Sequence, residues 1–248
     1  MPAHIPPIAV LSGPHVACRH CSLFALCLPV GVGHADLELL ERVIKRRRLL
    51  KRGGHLFRSG DRFHSVFAVK SGSIKTYLTI GPQDEKVTGF MLPGELLGLD
   101  AIGTGHYQAS ARALEDSSFC EVPFDRLEEL AREVPSMQQQ MLRIMSSQLR
   151  HDQQMQVLHC KKCAPARLAA FLVGLSTRLA GRGLSAAEFR LSMSRDDIAS
   201  YVGLAKETVI RLFAQFQQRE LVSIRRRHLR IHDLYALQAL AGPHACPP

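Results

Sequence analysis

The chain has 248 residues, 46% of them hydrophobic and 22% charged, with a net charge of +10 and seven cysteines. That length allows one large or two modest domains, and that composition excludes global disorder and any need for disulfide stapling. No apolar run approaches the roughly 18 residues of a membrane span, and the opening MPAHIPPIAVLSGP lacks a basic region and a long apolar stretch, so a cytoplasmic, reducing location is expected.

In such a compartment seven cysteines point to metal or thiol chemistry rather than disulfides. The positive charge is uneven. From Ala164 onward twelve Lys and Arg stand against six Asp and Glu, a balance of +6, while the first 163 residues carry +4. That concentration points to a polyanion, with nucleic acid the first candidate.

In chain order, residues 1–34 are rich in Pro, His, Gly and Cys and read as loop and tight turns. Asp36–Lys45 carries Leu37, Leu39, Leu40, Val43 and Ile44 at the spacing of a short amphipathic helix. The basic run KRRRLLKR (Lys45–Arg52) reads as a solvated helix end leading into a strand. Short apolar stretches follow at Val66–Val69, Ile74–Thr79, Val87–Met91 and Ser117–Val122, separated by turn formers such as Gly60-Asp61, Gly81-Pro82 and Pro93-Gly94. Short strands between frequent turns predict an antiparallel sandwich or roll. Phe124–His159 reads as helical with a break at Pro135. From Met137 the residues Met141, Ile144, Met145, Gln148, Asp152, Met155 and Leu158 fall near one stripe, which suits pairing with a second copy. Cys160–Pro165 is a hinge-like break, and Arg167–Ala180 a further amphipathic helix.

The segment SRDDIASYVGLAKETVIRLFAQFQ predicts a helix-turn-helix. Ser194 and Asp197 have capping-box spacing, Gly203 supplies the turn, and Lys206–Gln218 forms the second helix with Val209, Leu212, Phe213 and Phe216 inward. Lys206, Glu207, Ile210 and Arg211 then face outward near its N-terminus, where a recognition helix reads base edges. Arg suits guanine and Glu the cytosine amino group. Leu221–Ile231, with a basic turn at Arg225, Arg226 and Arg227, reads as a phosphate-touching wing.

Cys18-x2-Cys21-x5-Cys27 places three thiols within ten residues. Thiolates suit zinc or iron–sulfur clusters, and spacing does not separate the two. The fourth ligand must come from elsewhere: Cys120 is a candidate, with His15 and His20 weaker ones.

CRHCSLFALC with the distant Cys120, FRSGDRFHSVFAVKSGSIKTY, MLPGELLGLDAIGTGHY and LSMSRDDIASYVGLAKETVIRLF together resemble the FNR branch of the CRP/FNR superfamily, the oxygen-sensing bacterial transcription regulators, from about Cys18 to Gly242. The resemblance implies an α+β fold: a cyclic-nucleotide-binding-like β-roll (jelly roll), a long dimerisation helix and a C-terminal winged helix-turn-helix. Expected boundaries are a cluster-binding segment over 1–34, the roll over 35–136, the dimerisation helix over 137–160 and the DNA-binding domain over 164–242. It further implies that Cys18, Cys21, Cys27 and Cys120 hold a [4Fe–4S] cluster. The cluster supports a homodimer on TTGAT-like inverted repeats, with RNA polymerase as a partner, and oxygen degrades it. Met141, Ile144, Met145, Asp152 and Met155 are assigned to the dimer switch, in which paired Asp152 carboxylates keep the cluster-free chain monomeric.

A cyclic-nucleotide receptor of this fold needs an Arg-Ser pair after Gly94-Glu95; here Tyr107-Gln108-Ala109-Ser110-Ala111 stands instead, and Arg112 is followed by Ala113. No cyclic nucleotide is therefore expected. A zinc or thiol-redox regulator of the same fold is the alternative. An enzyme is not expected, since HExxH, a nucleophile elbow and a phosphate-cradling glycine loop are all missing. Two departures from the FNR pattern are the extra pair Cys160-x2-Cys163 and the residues Lys206 and Ile210 on the reading helix.

Overall fold

The computed structural model describes residues 18–29, 33–81, 84–161 and 163–242. The chain divides into two compact units, 1–147 and 148–248.

The first unit opens with two single 3-10 turns, Cys18–His20 and Phe24–Leu26, followed by helix α1 (His34–Val43). Eight strands follow: β1 (Lys45–Leu50), β2 (His55–Phe57), β3 (Ser65–Ser71), β4 (Ile74–Gly81), β5 (Asp84–Met91), β6 (Leu96–Leu97), β7 (Ser110–Ala113) and β8 (Ser117–Pro123). They form two antiparallel sheets, ordered β1-β8-β3-β6 and β2-β7-β4-β5. The expected strands lie inside β3, β4, β5 and β8, and the expected roll is present. The basic run belongs to a strand from Lys45 onward, not to a helix end. β1 lies at a sheet edge, where charge is tolerated and blocks further pairing, and Leu50 carries its buried contact.

Strand alternation sorts β3 and β8 into two faces. Phe67, Val69 and Phe119 face inward and join Leu50, Phe57, Ile74, Tyr107 and Ala111 in the core between the sheets. Val66 and Val122 face the other way, into a second core with Leu37 and Leu40 of α1. Helix α2 (Phe124–Glu133) adds Leu127 and Leu130 to that core, and α3 (Pro135–Lys161) adds Met137. Pro135 opens α3, where a missing N–H costs no hydrogen bond.

The second unit holds the distal part of α3, then α4 (Ala164–Ala180), β9 (Glu188–Arg190), α5 (Arg195–Val202), α6 (Lys206–Gln218), β10 (Val222–Arg225), β11 (His228–Ile231) and α7 (Leu234–Ala241). Helix α4 packs against α7, and β10-β11-β9 form a small antiparallel sheet. The short elements β2, β6, β7, β9 and α7 carry too little periodicity to be read from sequence.

Candidate functional site

Cys120 sits between inward Phe119 and Glu121 on β8, paired with Ala68 of β3, so alternation turns it to the outer face of the sheet. Against that face lies the N-terminal segment. Backbone bonds from Cys21 N to the Cys18 carbonyl and from Phe24 N to the Cys21 carbonyl, 3.0 Å each, wind it into tight turns. Leu28 anchors it in the outer core. A small cavity of about 40 Å³ results. Cys18, Cys21, Cys27 and Cys120 all line it, with Leu23, Leu40, Ile44, Ala68, Val69 and Val122 as aliphatic walls and Lys70 at the side.

The four cysteines are in the thiol form. Burial pushes Cys18 and Cys27 up to about 12, and proximity to Cys120 adds to the rise. At neutral pH Cys18 and Cys27 are therefore neutral thiols, and a cationic metal must displace their protons. Among the described residues no group of three or more His, Cys, Asp or Glu is arranged to hold a single metal ion. The thiols line a cavity rather than converge on a point. His20 is exposed, and His15 lies outside the described residues.

A contact not visible in sequence supports this loop. Gly94 has a φ of +92°, and its N–H donates to the Val69 carbonyl at 2.8 Å. A Cβ on Gly94 would stand 2.8 Å from the Cβ of Leu26, the residue before Cys27. The Pro93-Gly94 turn thus abuts the thiol-bearing segment.

The interior of the roll is packed with aliphatic side chains and the aromatic Phe57, Phe67, Tyr107 and Phe119. Phe57 and Tyr107 stack at 3.9 Å, and the Tyr107 hydroxyl donates to the Ser65 carbonyl at 2.6 Å. Arg112, the nearest arginine to the expected phosphate position, bonds Glu85 and lies over the Tyr77 ring. Lys75 also bonds Glu85, at 3.0 Å, and His55 Nε2 lies 2.8 Å from the Tyr77 hydroxyl.

Along α3 the expected stripe splits in two. Met141 and Ile144, expected in the pairing seam, are partly buried and pack against the outer core of their own chain. Met155 accepts a hydrogen bond from the Tyr201 hydroxyl at 3.4 Å, so it too is engaged internally. The exposed apolar residues of α3 include Leu142 (60%), Met145 (40%) and Leu149 (60%), with Val157 (56%) further along. With Asp152 the first three recur at steps of three, four and three, the period of a paired-helix seam. Asp152 is exposed and accepts from Gln148 Nε2 at 3.0 Å. Burial, not sequence, separates the two stripes of a helix that is apolar on more than one side.

In the second unit the capping box is complete. Asp197 N donates to Ser194 Oγ, and Ser194 N to Asp197 Oδ2, at 3.0 Å each. Gly203 ends α5 at φ +68°, the left-handed region that favours glycine. Arg195 stacks its guanidinium 3.8 Å from the Phe213 ring, bracing α5 against α6. Val209, Leu212, Phe213 and Phe216 are buried, as expected. Glu207, Ile210 and Arg211 are exposed on one face at steps of three and four. Lys206 is exposed as well, but its Nζ pairs with Asp196 Oδ1 at 3.0 Å. In the β10–β11 turn Arg225 and Arg226 are exposed and Arg227 is half-buried.

The sequence pattern of the cyclic nucleotide-binding domain matches residues 47–134, and that of the Crp-like helix-turn-helix domain matches 166–240. The transcriptional activator protein anr of Pseudomonas aeruginosa is 48% identical over 235 residues, covering 95% of this chain and 96% of that protein. The fumarate and nitrate reduction regulatory protein of Escherichia coli is 43% identical over 227 residues, covering 92% and 91%. Among solved structures, FixK2 from Bradyrhizobium japonicum superimposes with a TM-score of 0.74 at 25% identity, covering 81% of this chain and 98% of that one. The chain belongs to the FNR-type transcriptional activators of the CRP/FNR superfamily and is a DNA-binding transcription regulator.

Proposed function

We propose that this regulator senses oxygen through a [4Fe–4S] cluster held by Cys18, Cys21, Cys27 and Cys120. The observation that carries the reading is the lining of one aliphatic-walled cavity by four thiols, three from the N-terminal turns and one from β8. Four thiol donors suit either a cubane or a zinc ion, and here they line a cavity rather than converge on one point, which favours the larger cubane. When bound, the cluster would supply an oxygen-labile centre joining the N-terminal segment, through three thiolates, to the sheet, through one. The chain's own residues carry the rest. The aliphatic walls restrict water and oxidant access, and Leu28 and the Gly94 turn hold the loop in place.

Two chains pair through Leu142, Met145 and Leu149 under anaerobic conditions, and the Asp152 carboxylates oppose pairing once the loop is released. The dimer binds TTGAT-like inverted repeats with Glu207 and Arg211 on the G·C pair and Arg225, Arg226 and Arg227 at phosphates. Lys206 lies beside the DNA backbone. The site of action is the cytoplasm, with RNA polymerase as partner, and the regulator uses neither catalysis nor a cyclic nucleotide. The packed interior of the roll and the commitment of Arg112 to Glu85 support the last point.

Anaerobic purification tests the reading. A brown protein with four irons per chain, bleached by air and losing operator binding with its colour, is expected. Cys→Ala at any of the four positions abolishes both. A colourless protein carrying one zinc, or stabilisation by cyclic AMP, overturns the reading.

A further inference from the structure

The four-thiol cavity leaves Cys160-x2-Cys163 without a role. Helix α3 ends at Lys161 and α4 begins at Ala164, so the pair brackets the junction between the two helices, inside the second unit. Cys163 differs from the four cavity cysteines: they are thiols, whereas Cys163 is disulfide-bonded. It also stands at the N-cap of α4, at the start of a 17-residue helix.

A line of contacts leads from Cys163 to the reading helix. The Cys163 carbonyl accepts from Arg167 N at 3.1 Å. The Arg167 guanidinium donates through Nη1 to the Gly203 carbonyl at 3.1 Å. Gly203 is the left-handed cap of α5, and α6 starts three residues later at Lys206. The first turn of α4 thus links Cys163, through Arg167, to the turn that precedes α6.

We infer that Cys160 and Cys163 form a thiol–disulfide switch at the α3–α4 junction that tunes DNA binding independently of the four-thiol site. The co-reactant is a low-molecular-weight disulfide of the glutathione class. The Cys163 thiolate attacks one sulfur of glutathione disulfide, forming a mixed disulfide and expelling one glutathione thiolate. The second thiolate, from Cys160, then attacks the Cys163 sulfur and expels the other. One S–S bond forms and one breaks; two protein thiols are oxidised, and two glutathione thiols carry away the electrons and protons. The closed form fixes the junction. A two-fold dimer must adjust that junction to seat both α6 helices in successive major grooves, so closure weakens operator binding.

The full-length protein is held anaerobically in reduced glutathione or in glutathione disulfide, alkylated and digested with trypsin without reductant. Trypsin cuts after Arg150, Lys161, Lys162 and Arg167, so the bond is read as peptide 151–161 joined to peptide 163–167. The joined species is expected in glutathione disulfide, with operator affinity by anisotropy falling roughly 10-fold. Cys160→Ser and Cys163→Ser should each abolish both responses and keep the affinity of the reduced protein. Visible absorption on the same samples separates this effect from the four-thiol site: unchanged bands with changed affinity are expected. A Cys163–Cys246 product, equal affinity of the two forms, a response surviving in Cys163→Ser, or a loss of affinity that tracks bleaching overturns the inference.

Discussion

Substituting Gly94 by Ala tests whether the Pro93-Gly94 turn holds the thiol-bearing segment in place. Two costs arise. Gly94 sits at φ +92°, and a left-handed conformation costs an L-residue about 1–2 kcal/mol. The new Cβ would also lie 2.8 Å from the Leu26 Cβ, so Leu26 must move by several tenths of an ångström, an overpacking cost of about 1–3 kcal/mol. Gly53 provides the control. Its φ is +82°, but a Cβ there meets nothing within 4 Å. Gly53→Ala should cost only the backbone part, about 1–2 kcal/mol, and leave the thiols untouched. Gly94→Ala should cost about 2–5 kcal/mol in total and displace Cys27, which follows Leu26 directly. The assay pairs urea unfolding midpoints with iron per chain after anaerobic reconstitution. If both variants lose equal stability and Gly94→Ala keeps full iron, the Leu26–Gly94 contact does not position the thiol loop and the reasoning fails.

Asp152→Ala should dimerise in air: two carboxylates about 6 Å apart at an effective dielectric constant of about 20 repel by about 3 kcal/mol, roughly 100-fold in association. Sedimentation of the cluster-free variant decides this, and a monomer matching wild type refutes it; Leu149→Lys should do the opposite and keep the anaerobic chain monomeric. On DNA, Arg211→Ala should cost about 1–3 kcal/mol and relax choice at its G·C pair, whereas Lys206→Ala should weaken all sites alike. Anisotropy against single-base variants at two salt concentrations separates them, and a changed base preference for Lys206→Ala alone refutes the allocation. Burial alone would raise the Glu85 carboxyl, but Lys75 and then Arg112 outweigh it and hold the carboxyl below its ordinary 4.5. A lowered carboxyl adds stability above the unfolded value and loses it as pH falls through the folded one. Glu85→Gln should therefore cost about 1–2 kcal/mol at pH 7, and the difference should shrink as pH falls below about 4.5. Unfolding midpoints across that range check it, and a pH-independent difference refutes it.

The residue patterns of both candidate regions are legible in the sequence. Local spacing carries them: three thiols in ten residues, a serine three before an aspartate, a glycine between two amphipathic helices, three arginines in a turn. Those signals are short-range, and the capping box and the αL turn at Gly203 form in the structure from the same few residues. Cys120 could be offered as a fourth ligand only as one choice among others, because nothing within its own segment points 90 or more residues back along the chain. Strand pairing brings Cys120 to the four-thiol cavity: the Ala68–Cys120 register turns the thiol outward, and the outer core brings the N-terminal turns against it.

The seam of α3 is the clearest case of what tertiary structure alone decides. Met141, Ile144 and Met145 are equally apolar and nearly adjacent, so periodicity groups them together. Met141 and Ile144 pack, partly buried, against the outer core, whereas Leu142, Met145 and Leu149 stay exposed. Lys206 is similar: its charge is plain in the sequence, but its pairing with Asp196 depends on how α5 and α6 cross. Sequence specifies which groups are available and which local turns they favour; burial and partner choice arise from contacts between segments far apart in the chain, which only the folded backbone brings together.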